Sequence, residues 1–240
     1  MQCHSSSFVS AASSVSPWLN TGVRPPVSLG SSISTSVDRH VAAQEHLYLE
    51  GEIQSHIFLV LSGVIGSYKL LPDGRRQICA FSYPGDILGI ECEQWHLNHA
   101  EALSETVVRS IPATAIDKLI MSEPGFGQAL LRITAMELAS TREQLLSLGR
   151  KTAKEKLATF LLNIARRHAL PGMSEAQFDL PMKRYDIADY LGLTVETVSR
   201  NFTRLKTSGM IRLVSSQRVQ VDDMNLLEIT ANGGDSIRLH

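Results

Sequence analysis

Glu196, Ser199 and Arg200 are the residues whose types and spacing first suggest a task. Spaced three and four apart, they share one face of a helix. A carboxylate there can accept from cytosine N4, and a guanidinium can bind guanine O6 and N7 in a bidentate fashion. They sit within Tyr185–Met210, YDIADYLGLTVETVSRNFTRLKTSGM. This stretch reads as a helix, a tight turn at Gly192, and a second helix opening at Thr194. The Thr194 side-chain oxygen suits an N-cap. Ala188 and Gly192 are small where the two helices must approach. Ile187, Leu191, Leu193, Val198, Phe202 and Leu205 supply the apolar faces. Two short helices joined by a glycine turn form a helix-turn-helix, whose second helix enters the major groove of double-stranded DNA. Thr194, Thr197, Arg204 and Lys206, with Arg218 on the hairpin that follows, are expected at the phosphate backbone.

The charge distribution agrees with the motif. Over all 240 residues the formal net charge is -1, which alone argues against a nucleic-acid partner. From Arg150 to Arg218, however, 13 Lys and Arg stand against 6 Asp and Glu, whereas from Val37 to Gly149 the balance is 8 against 14. An acidic first domain is thus joined to a basic second one, and the basic one carries the helix-turn-helix. Positive charge there can neutralise phosphates and release counterions.

The chain is long enough for two modest domains. Residues 1–36 are Ser-rich with Pro17, Pro25 and Pro26, and read as a loosely attached tail anchored at most by Trp18 and Leu19. Residues 37–125 read as short strands and turns. HIFLVLSGVIGSYKLL is two apolar runs broken at Ser62-Gly63, Pro72-Asp73-Gly74 marks a hairpin, and Tyr83-Pro84-Gly85-Asp86 marks another turn. Many short strands at this spacing predict an antiparallel barrel or jelly roll. A short helix over Ala113–Met121 precedes a long one over residues 126–150. In that helix Leu131, Thr134, Leu138, Thr141, Leu145 and Leu148 follow a heptad seam, predicting a homodimer, while Leu130 and Ile133 pack on the helix's own domain. Two-fold symmetry would match a palindromic operator.

Residues 151–228 hold the reading domain. A helix over Thr152–His168 turns Leu157, Phe160, Leu161 and Ile164 inward. Leu170–Leu180 reads as a loop, and the runs Ile211–Val214 and Arg218–Val221 read as a hairpin wing. Residues 229–240 read as a tail with nothing to place it. Three scattered cysteines, Cys3, Cys79 and Cys92, make no disulfide framework, and none lies in the reading domain. No apolar run approaches a membrane span and no secretory leader is evident, so a cytoplasmic protein is expected. No Ser/His/Asp constellation, phosphate loop or metal triad suggests an enzyme. Cys92, His96 and His99, with Glu93, have a spacing that metal ligands could use, but nothing supplies a closed fourth ligand.

These residues resemble the CRP/FNR family of bacterial transcription regulators, in particular its FNR/FixK branch. The resemblance spans about Val41 to Glu228. It rests on SGVIGSYK, PDGRRQI, PGDILG, KEKLATFLLNIARR and, above all, DIADYLGLTVETVSRNFTRLKTSGMI. It implies an α+β fold: an N-terminal antiparallel β jelly roll, a long dimerisation helix and a C-terminal winged helix-turn-helix. It also implies an E-x-x-S-R reader of TTGA half-sites, matched here by Glu196, Ser199 and Arg200. Val195 stands where the cyclic-AMP branch has a further Arg, and Asn201 where relatives usually have an apolar residue.

The resemblance bears on cofactors by what is missing. An FNR-type iron–sulfur cluster needs four thiolates, and this chain has Cys3 alone near its start and Arg109 at the position of the fourth. A family nucleotide site needs an Arg-Ser pair preceded by Glu. The matching GIECEQWHLNHAEAL offers Glu91 and no Arg. The expectation is therefore a cofactor-free activator of the FixK type, in a low-oxygen or nitrogen-fixation response, touching RNA polymerase through loops of its first domain. The alternative is a sensor gated by a cyclic nucleotide, metal or haem in the jelly roll.

Overall fold

A computed structural model describes residues 36–123, 125–168 and 176–234. The expected N-terminal tail up to Thr35, and the first half of the expected loop after Ala169, lie outside the described residues.

Eight strands form the first unit: β1 (Val37–Val41), β2 (His46–Tyr48), β3 (His56–Ser62), β4 (Ile65–Leu70), β5 (Arg76–Ser82), β6 (Ile87–Leu88), β7 (His99–Ala102) and β8 (Thr106–Pro112). They make two antiparallel sheets, ordered β1-β8-β3-β6 and β2-β7-β4-β5. First pairs with eighth, second with seventh, third with sixth and fourth with fifth, which is the nested pairing of a jelly roll. Phe58, Val60, Ile65, Ala100 and Val108 fill the space between the sheets. The reverse face of β3 is buried too, because Ile57 and Ile111 pack under Ile116 and Leu119 of α1 (Ala113–Ser122). That explains why HIFLVLS is a continuous apolar run and not an alternation. The β4–β5 hairpin closes where Asp73 Oδ1 accepts from the Arg75 amide at 3.0 Å and Gly74 takes a φ of 82°.

The long helix, α2, runs from Phe126 to Arg150, 25 residues, or about 37 Å at 1.5 Å per residue. Phe126, Ile133 and Met136 are buried, and Leu130 is half-buried. Of the heptad seam, Leu131, Leu138 and Leu145 are 71%, 51% and 71% exposed. Thr134 and Thr141 are exposed as well, and Leu148 is half-buried.

The second unit opens with α3 (Ala153–His168), capped by a reciprocal box. The Thr152 amide donates to Glu155 Oε2 at 3.0 Å and the Glu155 amide to Thr152 Oγ1 at 3.4 Å. Then come β9 (Ala176–Asp179), α4 (Arg184–Leu191), α5 (Val195–Thr207), β10 (Ile211–Ser215), β11 (Arg218–Val221) and α6 (Met224–Ala231). All four side chains expected inward on α3 are buried in one cluster with Ile187, Leu191, Val198, Phe202 and Leu205.

Two expectations are corrected. The second half of the Leu170–Leu180 loop is strand β9, which pairs antiparallel with β11, so the wing has three strands. Four residues, AQFD, are too few for an alternation to be read without the partner strand. Part of the expected 229–240 tail is also placed: α6 continues to Ala231, beyond the expected boundary at 228, while 235–240 lie outside the described residues. Leu227 and Ala231 are buried, and Glu228 pairs with Arg166 of α3 at 2.5 Å. Asp223 caps this helix by accepting from the Leu226 amide at 2.8 Å.

Asn201 has a clear role in packing. It is buried beside Phe202, its Nδ2 donates to the Thr197 carbonyl at 2.8 Å, and its Oδ1 is buried with no hydrogen-bond partner. That carbonyl already lies within the helix ladder, so losing the amide leaves nothing there unsatisfied. Removing a desolvated, unpaired acceptor should stabilise the fold by about 1 kcal/mol. Asn201→Val is therefore expected to raise the urea midpoint with an unchanged m-value. A lowered midpoint would mean that the Thr197 hydrogen bond outweighs the buried oxygen.

Candidate nucleic-acid interface

The two helices of the reading motif are set by local chemistry. At the start of α4, the Lys183 amide donates to Asp186 Oδ2 at 2.8 Å. At its end Gly192 takes a left-handed φ of 61°, and the Leu193 amide reaches back to the Ala188 carbonyl at 3.0 Å. A Cβ added at Gly192 would lie 3.4 Å from Leu148 Cδ2 of α2, in van der Waals contact, so the left-handed φ is what favours glycine there. Thr194 then starts α5 as expected, its hydroxyl accepting from the Thr197 amide at 3.2 Å. Val198, Phe202 and Leu205 are buried and hold the helix down. The Arg184 guanidinium covers the Phe202 ring at 3.5 Å, and burial pushes its pKa down.

With one face committed to the core, the other is left open. Glu196, Ser199, Arg200 and Arg204 all lie exposed on α5, and Lys206 is exposed in its last turn. The Glu196 carboxyl is held below its usual range, first by its own backbone amide, then by the Thr194 hydroxyl and the Arg200 charge. It is therefore an ionised acceptor at neutral pH. Arg200 Nη2 donates to Thr197 Oγ1 at 3.2 Å, and the Thr194 hydroxyl lies 3.1 Å from the same oxygen. The two threonines thus steady the guanidinium in the first turns of the helix. The structure brings Glu196, Thr197, Ser199 and Arg200 together on one face. Arg218 is placed elsewhere: it lies on β11 and binds Asp179 of β9, Nε to Oδ1, at 2.7 Å. Its charge is partly offset by this carboxylate of β9.

The histidines of the first unit are turned to different tasks. His96 is buried and stacks on Tyr48 with ring centroids 3.7 Å apart, while His99 stacks on Tyr68 at 4.9 Å. Cys92 lies exposed. Among the described residues, no group of three or more His, Cys, Asp or Glu could hold a metal ion. Arg109 is paired with Asp38 at 2.6 Å.

A cavity of about 360 Å³ lies between the barrel, α2, α3 and α4. Its wall includes Glu91, Glu137 and Arg167. Burial raises the pKa of the Glu91 carboxyl. Glu137, which still reaches solvent, is raised by desolvation and then by the charges of Glu91 and Asp86. Arg167 Nη1 donates to Asp86 Oδ2 at 3.0 Å, so this guanidinium is already matched to a carboxylate. A nucleotide phosphate needs a guanidinium or a backbone nest directed at it. A wall with two carboxylates and an arginine engaged by a third does not fit that group.

The comparisons with known proteins agree with this geometry. Residues 38–123 match the cyclic nucleotide-binding domain model, and residues 155–229 match the Crp-like helix-turn-helix domain model. The nitrogen fixation regulation protein FixK of Azorhizobium caulinodans is 40% identical over 187 residues, 78% of this chain and 75% of that protein. The transcriptional activator protein FnrA of Stutzerimonas stutzeri is 32% identical over 225 residues, 90% and 92% of the two chains. Among solved structures, FixK2 from Bradyrhizobium japonicum superimposes with a TM-score of 0.75 at 38% identity, covering 81% of this chain and 96% of that one. Among the described residues, no helix is long and apolar enough to cross a membrane. A jelly roll, a long helix and a DNA-binding winged helix-turn-helix, in that order and with these relatives, place the chain in the CRP/FNR family of transcription regulators.

Proposed function

We propose that this regulator works as a homodimer that reads a palindromic TTGA-type operator and activates transcription without a small-molecule cofactor, in a low-oxygen or nitrogen-fixation response. The observation that carries the proposal is the open face of α5: an ionised Glu196 in the first turn and Arg200 one turn on, over a helix whose opposite face is fully packed. Glu196 accepts from cytosine N4, Arg200 grips guanine, and Ser199 sits between them on the base edges. Thr194, Thr197, Arg204, Lys206 and Arg218 serve the phosphates. The low-oxygen or nitrogen-fixation setting rests on the FixK relative.

The dimer rests on Leu131, Leu138 and Leu145, apolar side chains left exposed along one line of α2, whose Phe126, Ile133 and Met136 are buried within the protomer. A stripe of this kind at heptad spacing is buried by a second copy of itself. The cofactor-free reading is supported by the acidic wall of the barrel cavity. RNA polymerase is met through loops of the first unit. The protein works in the cytoplasm and catalyses no reaction.

The deciding experiment is operator binding in air by purified, metal-free protein with no added ligand. Specific binding of a palindromic TTGA operator, competed poorly by scrambled DNA, is the expected result. Binding that appears only when a cyclic nucleotide, a metal or haem is added would replace this reading with a ligand-gated one. Arg200→Ala is expected to lose about 1–3 kcal/mol per half-site, roughly five- to a hundredfold for each half-site and the product of the two on the palindrome, and to lose its preference for the guanine. Fluorescence anisotropy on operators substituted at each position measures both effects. Unchanged affinity for operator and for scrambled sequence would remove Arg200 from the reading set. Leu138→Glu places a charge on the stripe and should give a monomer by analytical ultracentrifugation, with the folded reading unit retained. A variant that sediments like the wild type would put the dimer axis elsewhere.

A further inference from the structure

Arg76 opens β5, just after the hairpin turn of the barrel, and its guanidinium leaves the barrel. Nε donates to Asp189 Oδ2 at 2.9 Å, Nη2 donates to Asp186 Oδ1, and Nη1 reaches Glu101 Oε2 at 3.4 Å. Asp186 and Asp189 belong to α4, the first helix of the reading motif, and Glu101 belongs to the barrel. The flat faces of the guanidinium are bounded by the Tyr68 ring at 5.3 Å and the Tyr185 ring at 5.5 Å. Asp186 is only 3% exposed and is also the residue that caps α4 through the Lys183 amide. One arginine of the barrel thus completes the N-terminal cap structure of a helix 110 residues away.

The same helix is held from two further directions. Gln77 Nε2, next to Arg76, donates to the Asp189 carbonyl at 2.6 Å. Gln144 Nε2 of α2 donates to the Tyr190 carbonyl at 2.8 Å, and the Tyr190 ring lies against Phe81 of the barrel at 4.9 Å. These contacts join α4 to the barrel and to the long helix. Helix α5 follows α4 after a turn of three residues, so the direction of its reading face follows from how α4 is docked. A guanidinium matched to three carboxylates and two rings satisfies them in one orientation, because a planar fork cannot follow a rotating partner.

We infer that Arg76 is a positioning residue for DNA reading: by fixing α4 against the barrel and α2, it sets the separation of the two reading helices across the dimer and so the half-site spacing the protein accepts. The inference rests on the dimeric reading above. Two heads held at one separation bind a matching palindrome with the avidity of a linked pair, and that advantage disappears when the geometry forbids both from engaging. Loosening Arg76 leaves each head able to read its own half-site but no longer holds the pair in register.

The test uses the full-length protein and three DNA probes: a TTGA palindrome of optimal spacing, the same palindrome with one base pair added or removed between half-sites, and a single half-site. Wild type should prefer the optimal spacing to the altered one by roughly a hundredfold. Arg76→Gln and, independently, Asp189→Asn should lose about tenfold on the optimal palindrome and much less on the altered one, collapsing the ratio, with half-site affinity unchanged. Arg76→Lys keeps the charge without the fork, and should recover only part of the ratio. Asp189→Asn leaves the Asp186 cap in place and decides the matter if Arg76→Gln fails to fold. A folded variant with the wild-type spacing ratio overturns the role of Arg76 while leaving the dimer reading intact. An equal loss on all three probes overturns it too, since that marks a structural defect of the head. A wild type that binds the palindrome no tighter than a half-site overturns the dimeric reading, and this inference with it.

Discussion

The burial of one face of α5 is the constraint from which the rest of the reading unit follows. Val198, Phe202 and Leu205 enter a core shared with Leu157, Leu161, Ile187 and Leu191. Each such side chain contributes about 1.5–3 kcal/mol when removed from water. With that face committed, Glu196, Ser199 and Arg200 have nowhere to point but outward. The exposed, charged face is a consequence of packing, not of any preference of the charged residues themselves. A helix-turn-helix presents hydrogen-bonding groups at a groove because its other side has no alternative to the core.

The core does not stop at the reading unit. Val64 and Tyr83 of the barrel belong to the same buried cluster as α3 and α4. Around this apolar junction, acidic groups of the barrel meet basic groups of the reading unit, as Asp86 does with Arg167. Arg76 reverses the pattern, a cation from the acidic unit meeting Asp186 and Asp189 in the basic one. An ion pair across such a junction adds little net stability after desolvation, but it is demanding about geometry. That division of labour suits a regulator: apolar area holds the units together, and charged pairs determine how they are turned.

The cavity keeps its place in the family fold, but its charged lining does not suit a nucleotide phosphate. The barrel matches the cyclic nucleotide-binding domain, and space remains between it and the long helix. The charged groups lining that space are two carboxylates, Glu91 and Glu137, and an arginine, Arg167, already engaged by Asp86. Sheet order and helix placement follow from apolar periodicity, which survives exchange of polar residues. Ligand chemistry rests on a few polar side chains and is lost when they change.

By itself, the sequence determined the pieces whose causes are local. Thr194 as a cap, Gly192 as a left-handed turn, the Pro72–Gly74 hairpin and the 25-residue span of α2 all follow from interactions between near neighbours in the chain. So does the open face bearing Glu196, Ser199 and Arg200, since a helical period and a set of apolar partners suffice to place it. The tertiary structure alone decided where short or weakly patterned segments go. Ala176–Asp179 became a strand because β11 offered it an edge, and Met224–Ala231 became a helix buried along α3. It alone also brought Arg76 to Asp186, and Arg218 to Asp179. A guanidinium and a carboxylate 110 residues apart carry no mark of each other in the chain, because only the closed fold supplies the low-dielectric junction in which their pairing is required.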